Sequence, residues 1–308
     1  MSLIDYKKPF VIPPGLKQKF SNDFNYKSVS QTVVVKMKGE NQLTDRDLEI
    51  TKFLFNVRFA TLNQIYRYLN LESNKSNLKN RLDKLVKLRI LNKFILTNED
   101  GSITEQLQIY CLDIGGRYLL ASYSKLDTSD WYTSINLKAS ELVGENLLAT
   151  EIYTRLMETC PDKILNYKQY PEFRCGSTVI TPTFKFSLKV ENKTINFVGE
   201  ITRDYDFPDN FREKAIKLNS LIKTNAWKKY YKEEDGEPIL LVFAESDETA
   251  YLAGQSLDDF TQINKFRLST DERIKNNLSD KGTFIKLDYA NDNETKVLKL
   301  VKLDIFDR

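Results

Sequence analysis

The sequence predicts an α+β protein of two domains: a small helical domain closed by a β-hairpin, then a larger α/β domain. Three observations predict it. The chain has 308 residues, more than one domain usually holds and enough for two separate cores. Between Leu43 and Ala121, three short amphipathic helical patterns precede two strand-like runs around a tight turn. From residue 139 onward the patterns run α-β-β-β-α-β, with further elements behind them.

The first forty residues contain Pro9, Pro13, Pro14 and Gly15, then a β-prone run from Thr32 to Met37. They read as an extended basic arm, residues 1–42, with one strand. Its lysines (Lys7, Lys8, Lys17, Lys19 and Lys27) could lie along phosphates, or simply be solvated.

The first helix of the 43–125 domain starts at Thr44, an N-cap with Asp45 and Asp47 in the first turn, where the helix dipole favours acids. Leu48, Thr51, Leu54 and Phe55 form its apolar stripe. The second helix starts at Thr61 and buries Leu62, Ile65, Tyr66 and Leu69. Ser73 or Asn74 caps the third, whose Leu78, Leu82, Leu85 and Val86 share one side. Opposite them lie Ser76, Asn77, Asn80, Lys84 and Lys87, with Lys75 at the N-terminus and Lys79 on the flank. Strand-like runs follow at Asn92–Thr97 and Glu105–Leu112, and Asp100-Gly101 between them is a hairpin signal. A short helix near Gly115–Ser122 closes the domain.

Three helices and a hairpin in this order are the pattern of a winged helix-turn-helix. A major groove accepts such a helix, amides reading base edges and cations holding phosphates. The candidate double-stranded DNA contacts are therefore Lys75, Ser76, Asn77, Lys79, Asn80, Lys84 and Lys87, with Lys93 or the polar 98–104 turn acting as a wing. An ordinary solvated face explains the third helix taken alone, and some winged helices dock proteins.

Composition narrows the function further. The apolar share of 41% and charged share of 29% are those of a globular chain. No apolar run approaches a membrane span and the N-terminus lacks a signal-peptide core, so a cytoplasmic protein contacting no membrane is expected. Residues 1–130 hold 20 Lys+Arg against 14 Asp+Glu, while the remainder carries a net −3. That asymmetry fits nucleic-acid binding. There is no histidine, and the three cysteines are scattered, so a zinc site and His-dependent triads are excluded as readings.

The segment 139–308 has the core order of PD-(D/E)XK nucleases, whose acids hold a divalent metal and whose lysine assists the attacking water. Here Thr183 stands at the Asp position, Glu200 at the acid and Thr202 at the Lys. This is a vestigial nuclease site, so neither an enzyme nor a metal or other cofactor is expected. For Glu200 a partly exposed acid paired with a neighbouring base is the plainer reading. Repair by Glu141, Glu145, Arg203 or Asp204, giving a metal-dependent nuclease, is the alternative.

Leu43-Thr44-Asp45-Arg46-Asp47, Arg58-Phe59-Ala60-Thr61, Asn80-Arg81-Leu82-Asp83-Lys84-Leu85 and Tyr110-Cys111-Leu112-Asp113 followed by Gly115-Gly116 together resemble the replication-relaxation family of plasmids and integrative elements. Thr181-Pro182-Thr183-Phe184, Phe197–Thr202 and Arg212-Glu213-Lys214 continue the likeness, over roughly residues 43–227. The resemblance implies a DNA-binding accessory factor in replication or in relaxosome assembly for conjugative mobilisation. In that role the second domain is expected to dimerise or to recruit a relaxase or replication protein. Transcriptional regulation and a protein-docking adaptor remain open beside it.

Overall fold

The computed structural model describes residues 10–70, 74–100, 107–290 and 295–307. The chain is α+β and divides into two compact units, Met1–Glu151 and Ile152–Arg308.

In the first unit, α2 (Asp45–Val57), α3 (Leu62–Tyr68) and α4 (Lys75–Lys87) follow α1 (Gln31–Gly39). The starts of α2 and α3 are set locally by reciprocal capping, Thr44 with Asp47 and Thr61 with Gln64, each pair satisfying backbone N–H groups the helix leaves open. Asn74 caps α4 through the Ser76 N–H. A four-stranded antiparallel sheet of β1 (Lys17–Phe20), β2 (Ala60–Thr61), β3 (Leu91–Thr97) and β4 (Ile109–Leu112) has the order β1-β3-β4-β2. Phe94, Leu96, Ile109 and Cys111 from this sheet meet Ile12, Phe59, Val143 and Leu147 in one core.

Two expectations for the arm are corrected. The run Thr32–Met37 is the helix α1, not a strand, because Ser30 accepts from the Val33 N–H and α1 packs along α5 (Ile114–Tyr123). Its β-branched residues are tolerated because only Val34 needs burial. Among the described residues of the arm the one strand is β1, whose register Lys17↔Thr97 to Phe20↔Phe94 places it on the edge beside β3. Lys7 and Lys8 lie outside the described residues.

The turn from α4 into β3 is made by Arg89, left-handed at φ 61, with the Ile90 N–H reaching back to the Leu85 carbonyl. The Arg89 guanidinium holds Asp113 at 2.9 Å and Asp23 at 2.7 Å. Asp113 caps α5, whose first turn lies directly against this backbone. A Cβ on Gly116 would sit 2.4 Å from the Ile90 carbonyl oxygen. Gly116→Ala should therefore lower the stability of this unit by about 2–3 kcal/mol. Gly39→Ala, which meets open space, should change it by no more than about 1 kcal/mol. Urea denaturation of the two variants checks the contrast.

α6 (Ser140–Thr159) carries the division between the units at residue 151. The boundary thus falls inside a helix and not in the polar segment 123–138. Residues on the first part of α6 are built into the first unit: Asn146 accepts from the Phe59 N–H at 3.2 Å, and Thr150 donates to the Phe59 carbonyl at 2.8 Å.

The second unit is a seven-stranded sheet in the order β13-β12-β11-β10-β9-β8-β5. These strands are β5 (Ile164–Gln169), β8 (Phe184–Val190), β9 (Lys193–Ile201), β10 (Ile239–Ala244), β11 (Phe266–Thr270), β12 (Phe284–Tyr289) and β13 (Lys296–Val301). β9, β10 and β11 are parallel and the outer pairs antiparallel. β10, Ile-Leu-Leu-Val-Phe-Ala, is central and buried on both faces, as a continuous apolar run requires. α7 (Asp209–Lys223) and α8 (Asp247–Phe260) pack Phe211, Ala215, Ala250 and Leu257 on the face bearing Val198, Val242 and Leu268. The other face is aromatic, with Phe186 stacked on Phe197 at 4.5 Å and Phe284 on Phe306 at 5.5 Å.

Three features differ from expectation. A hairpin of β6 (Phe173–Cys175) and β7 (Thr178–Ile180) is inserted before β8, turning through Gly176 at φ 61. β11 is an unanticipated strand. The helix expected at Ser256–Asn264 begins earlier, at Asp247, where Ser246 accepts from the Thr249 N–H.

Candidate nucleic-acid interface

α4 turns Leu78, Leu82, Leu85 and Val86 inward, which fixes the rest of the helix outward. Lys75, Ser76, Asn77, Lys79, Asn80, Lys84 and Lys87 are all exposed. The helix is braced from behind by Arg81, whose guanidinium takes the buried Asp47 carboxylate on α2 in a two-pronged ion pair and the Gln42 carbonyl at 2.9 Å. A charge-assisted fork of this kind fixes orientation as well as distance.

The exposed cations differ in how far they are engaged. Lys75 donates to Asn63 at 2.8 Å and lies 5.1 Å from the Tyr66 ring centre. Lys79 stands 3.5 Å from Asp83. Among the described residues no carboxylate pairs with Lys84 or Lys87. Burial pushes the Asp83 carboxyl up, but the ammonium groups of Lys93 and Lys79 outweigh it and hold it below the usual carboxylate range.

Lys93, expected at the wing, is engaged within the first unit. Its Nζ is 2.6 Å from Asp83, so it ties β3 to α4 and is spent inside the unit. The reason is register: Lys93 stands opposite Tyr110 in the middle of the sheet, not at the hairpin tip. Of the 98–104 turn, residues 101–104 lie outside the described residues, and with them the Gly101 of the hairpin signal. On β1, Lys17 and Lys19 are both exposed, Lys17 standing 3.7 Å from Glu99.

In the second unit the sheet brings together two of the three positions expected of a vestigial nuclease site. Thr183 stands across from Glu200 and donates its hydroxyl to that carboxylate at 3.1 Å, while accepting from the Ile201 N–H at 3.3 Å. Thr202 is buried with a hydroxyl that makes no hydrogen bond among the described residues. Glu200 is only 3% exposed, not the partly exposed acid expected, because β9 lies inside the sheet and α7 covers its end.

The base beside Glu200 is Lys214 of α7, with Nζ at 3.1 Å from the carboxylate. Lys214 closes the triplet Arg212-Glu213-Lys214, and only the packing of α7 on β9 brings its ammonium here. Two of the four substitutes expected from sequence are engaged elsewhere: Arg203 holds Asp271 through one nitrogen at 2.8 Å to each oxygen, and Asp204 accepts from Thr249. Among the described residues no group of three Asp, Glu, Cys or His could hold a metal ion. A single buried carboxylate already neutralised by an ammonium does not fit a divalent cation.

Cys111 and Cys160 are buried, and Cys175 is half-buried with its thiol 3.1 Å from the Thr224 hydroxyl. Among the described residues no helix is long and apolar enough to cross a membrane. No known protein family, curated protein or solved structure matches the chain.

Proposed function

We propose that the chain is a double-stranded DNA-binding accessory protein whose first unit is a winged helix with α4 as its recognition helix. The observation that carries this reading is α4 itself: an exposed face of amides, a hydroxyl and lysines, braced from behind by Arg81 and Asp47. The connection β2-α3-α4-β3-β4, with β4 between β3 and β2, supports the winged-helix assignment. Asn77 and Asn80 would read bases, and Lys75, Lys79, Lys84 and Lys87 would hold phosphates.

The second unit, on this reading, is a nuclease-like fold without catalysis. Its order α6-β5-β8-β9-α7-β10 and the Thr183–Glu200 pairing favour the kinship, and the Glu200–Lys214 ion pair favours a structural role for the old site. Dimerisation or docking of a relaxase or replication protein is the role proposed for it. Plasmid replication or mobilisation is the context the family resemblance suggests.

Binding of labelled origin-region DNA from the parent element, with random duplex as competitor, tests the reading. Asn77→Ala and Asn80→Ala should each narrow the margin between specific and random DNA by about 1–3 kcal/mol while leaving random binding unchanged. Equal loss on both DNAs would remove the asparagines from base reading. No preference for any duplex by the native chain would overturn the proposal.

A further inference from the structure

A cavity of about 510 Å³ opens beside α4, between the first turns of α3 and α4, the start of β4 and α6. Its size is that of a small-molecule site. Leu62, Leu107, Tyr110 and Leu147 give it apolar walls, and Lys75 and Lys79 stand at its edge. Burial raises the Tyr110 phenol to about 12, so the hydroxyl stays neutral there at any physiological pH.

Charge decides what such a cavity takes. Glu151 also borders it, but Arg67 neutralises that carboxylate at 2.6 Å. Asp83, the acid nearest Lys79, is held more closely by Lys93, at 2.6 Å against 3.5 Å. Among the described residues Lys75 is paired with no carboxylate. The edge therefore carries surplus positive charge above an apolar interior, which matches an anionic head on an apolar tail.

We propose that this cavity binds an amphipathic monocarboxylate of medium chain length, with its carboxylate on Lys75 and Lys79. Resting on the DNA-binding function proposed above, bound carboxylate takes two cations from the phosphate contacts and lowers affinity for DNA. The ligand would then act as an effector that releases the recognition helix.

Calorimetric titration of the full chain, without DNA, with octanoate, decanoate, decan-1-ol and decylamine tests the site. Decanoate should bind roughly tenfold more tightly than octanoate, since each buried methylene gains about three- to fourfold. Decan-1-ol should bind about tenfold more weakly than decanoate, and decylamine more weakly still. Lys75→Gln with Lys79→Gln, both on the surface, should erase the preference for acid over alcohol and keep the binding of alcohol. Leu107→Trp, which fills the cavity, should abolish all four. No binding of decanoate, equal binding of acid and amine, or titrations unchanged in the lysine variant would each overturn the site.

The coupling is read separately, by anisotropy of labelled duplex with and without saturating decanoate. Weaker DNA binding in the native chain, absent from the double lysine variant, supports it; unchanged DNA affinity at saturating decanoate overturns the effector role. A chain that takes decanoate but binds no DNA overturns the DNA-binding function and leaves the cavity assignment standing.

Discussion

Replacing Lys75, Lys79, Lys84 and Lys87 together by alanine is expected to abolish most DNA affinity at moderate salt, by about 100-fold or more, on specific and random duplex alike. The cause is counterion release. Each lysine that neutralises a phosphate contributes about −0.9 to the slope of log affinity against log salt, so four lost contacts should flatten it by about 3 to 4. The contributions should not be equal. Lys84 and Lys87 carry no carboxylate partner among the described residues and can move to a phosphate freely, whereas Lys79 must leave Asp83. Lys84→Ala should therefore flatten the slope more than Lys79→Ala. Lys93→Ala is the control. Its ammonium is tied to Asp83 at 2.6 Å, so its loss should change stability and leave the salt slope in place. All four lysines sit on the surface, which keeps the fold out of the measurement. A slope unaltered in the quadruple variant would remove α4 from the interface.

What was legible in the sequence was what is decided locally. The starts of α2 and α3 follow from Thr44 with Asp47 and Thr61 with Gln64, residues three apart that satisfy each other within one turn. The outward face of α4 follows from the spacing of its leucines. What was not legible depends on partners far along the chain. Thr32–Met37 has the β-branched composition of a strand, but a cap at Ser30 and the surface of α5 make it a helix. β11 was hidden because Ser269 and Thr270 are polar, yet both are buried, Ser269 donating to the Thr283 carbonyl at 2.7 Å. Lys93 looked free because its partner sits ten residues back on another element. Lys214 had no visible task until α7 packed over β9.

The motif residues behind the family resemblance divide in an instructive way. Asp47 and Arg81 join α2 to α4, and Asp113 with Gly115 and Gly116 seats α5 against the turn at Arg89. They are scaffold, and they hold the helix without touching what it would recognise. The residues available for recognition, Ser76, Asn77 and Asn80, owe their exposure to that scaffold. A resemblance built largely on scaffold positions bears on the build of the domain and not on what its exposed face would recognise.

Arg203→Met is expected to destabilise the second unit by about 3–5 kcal/mol, because it takes from the buried Asp271 carboxylate the guanidinium that meets both of its oxygens. Both partners are almost fully enclosed, with side chains 1% and 8% exposed. Arg203 meets Asp271 through a single nitrogen, and its Nε and other terminal nitrogen are buried without a hydrogen-bond partner. The guanidinium thus loses its water and regains only part of its hydrogen bonding, so the pair is a poor source of net stability. Arg203→Met with Asp271→Leu should accordingly recover most of the loss of the single variant. A Trp131→Phe background leaves Trp227, buried in the second unit, as the fluorescent reporter of urea unfolding. A single-variant loss below about 1 kcal/mol would mean that water reaches the pair. A double variant as unstable as the single one would mean that Arg203 is held for the shape of the strand ends and not for its charge. Recovery would leave the ion pair with a different use: it ties the chain just after β9 to the chain just after β11.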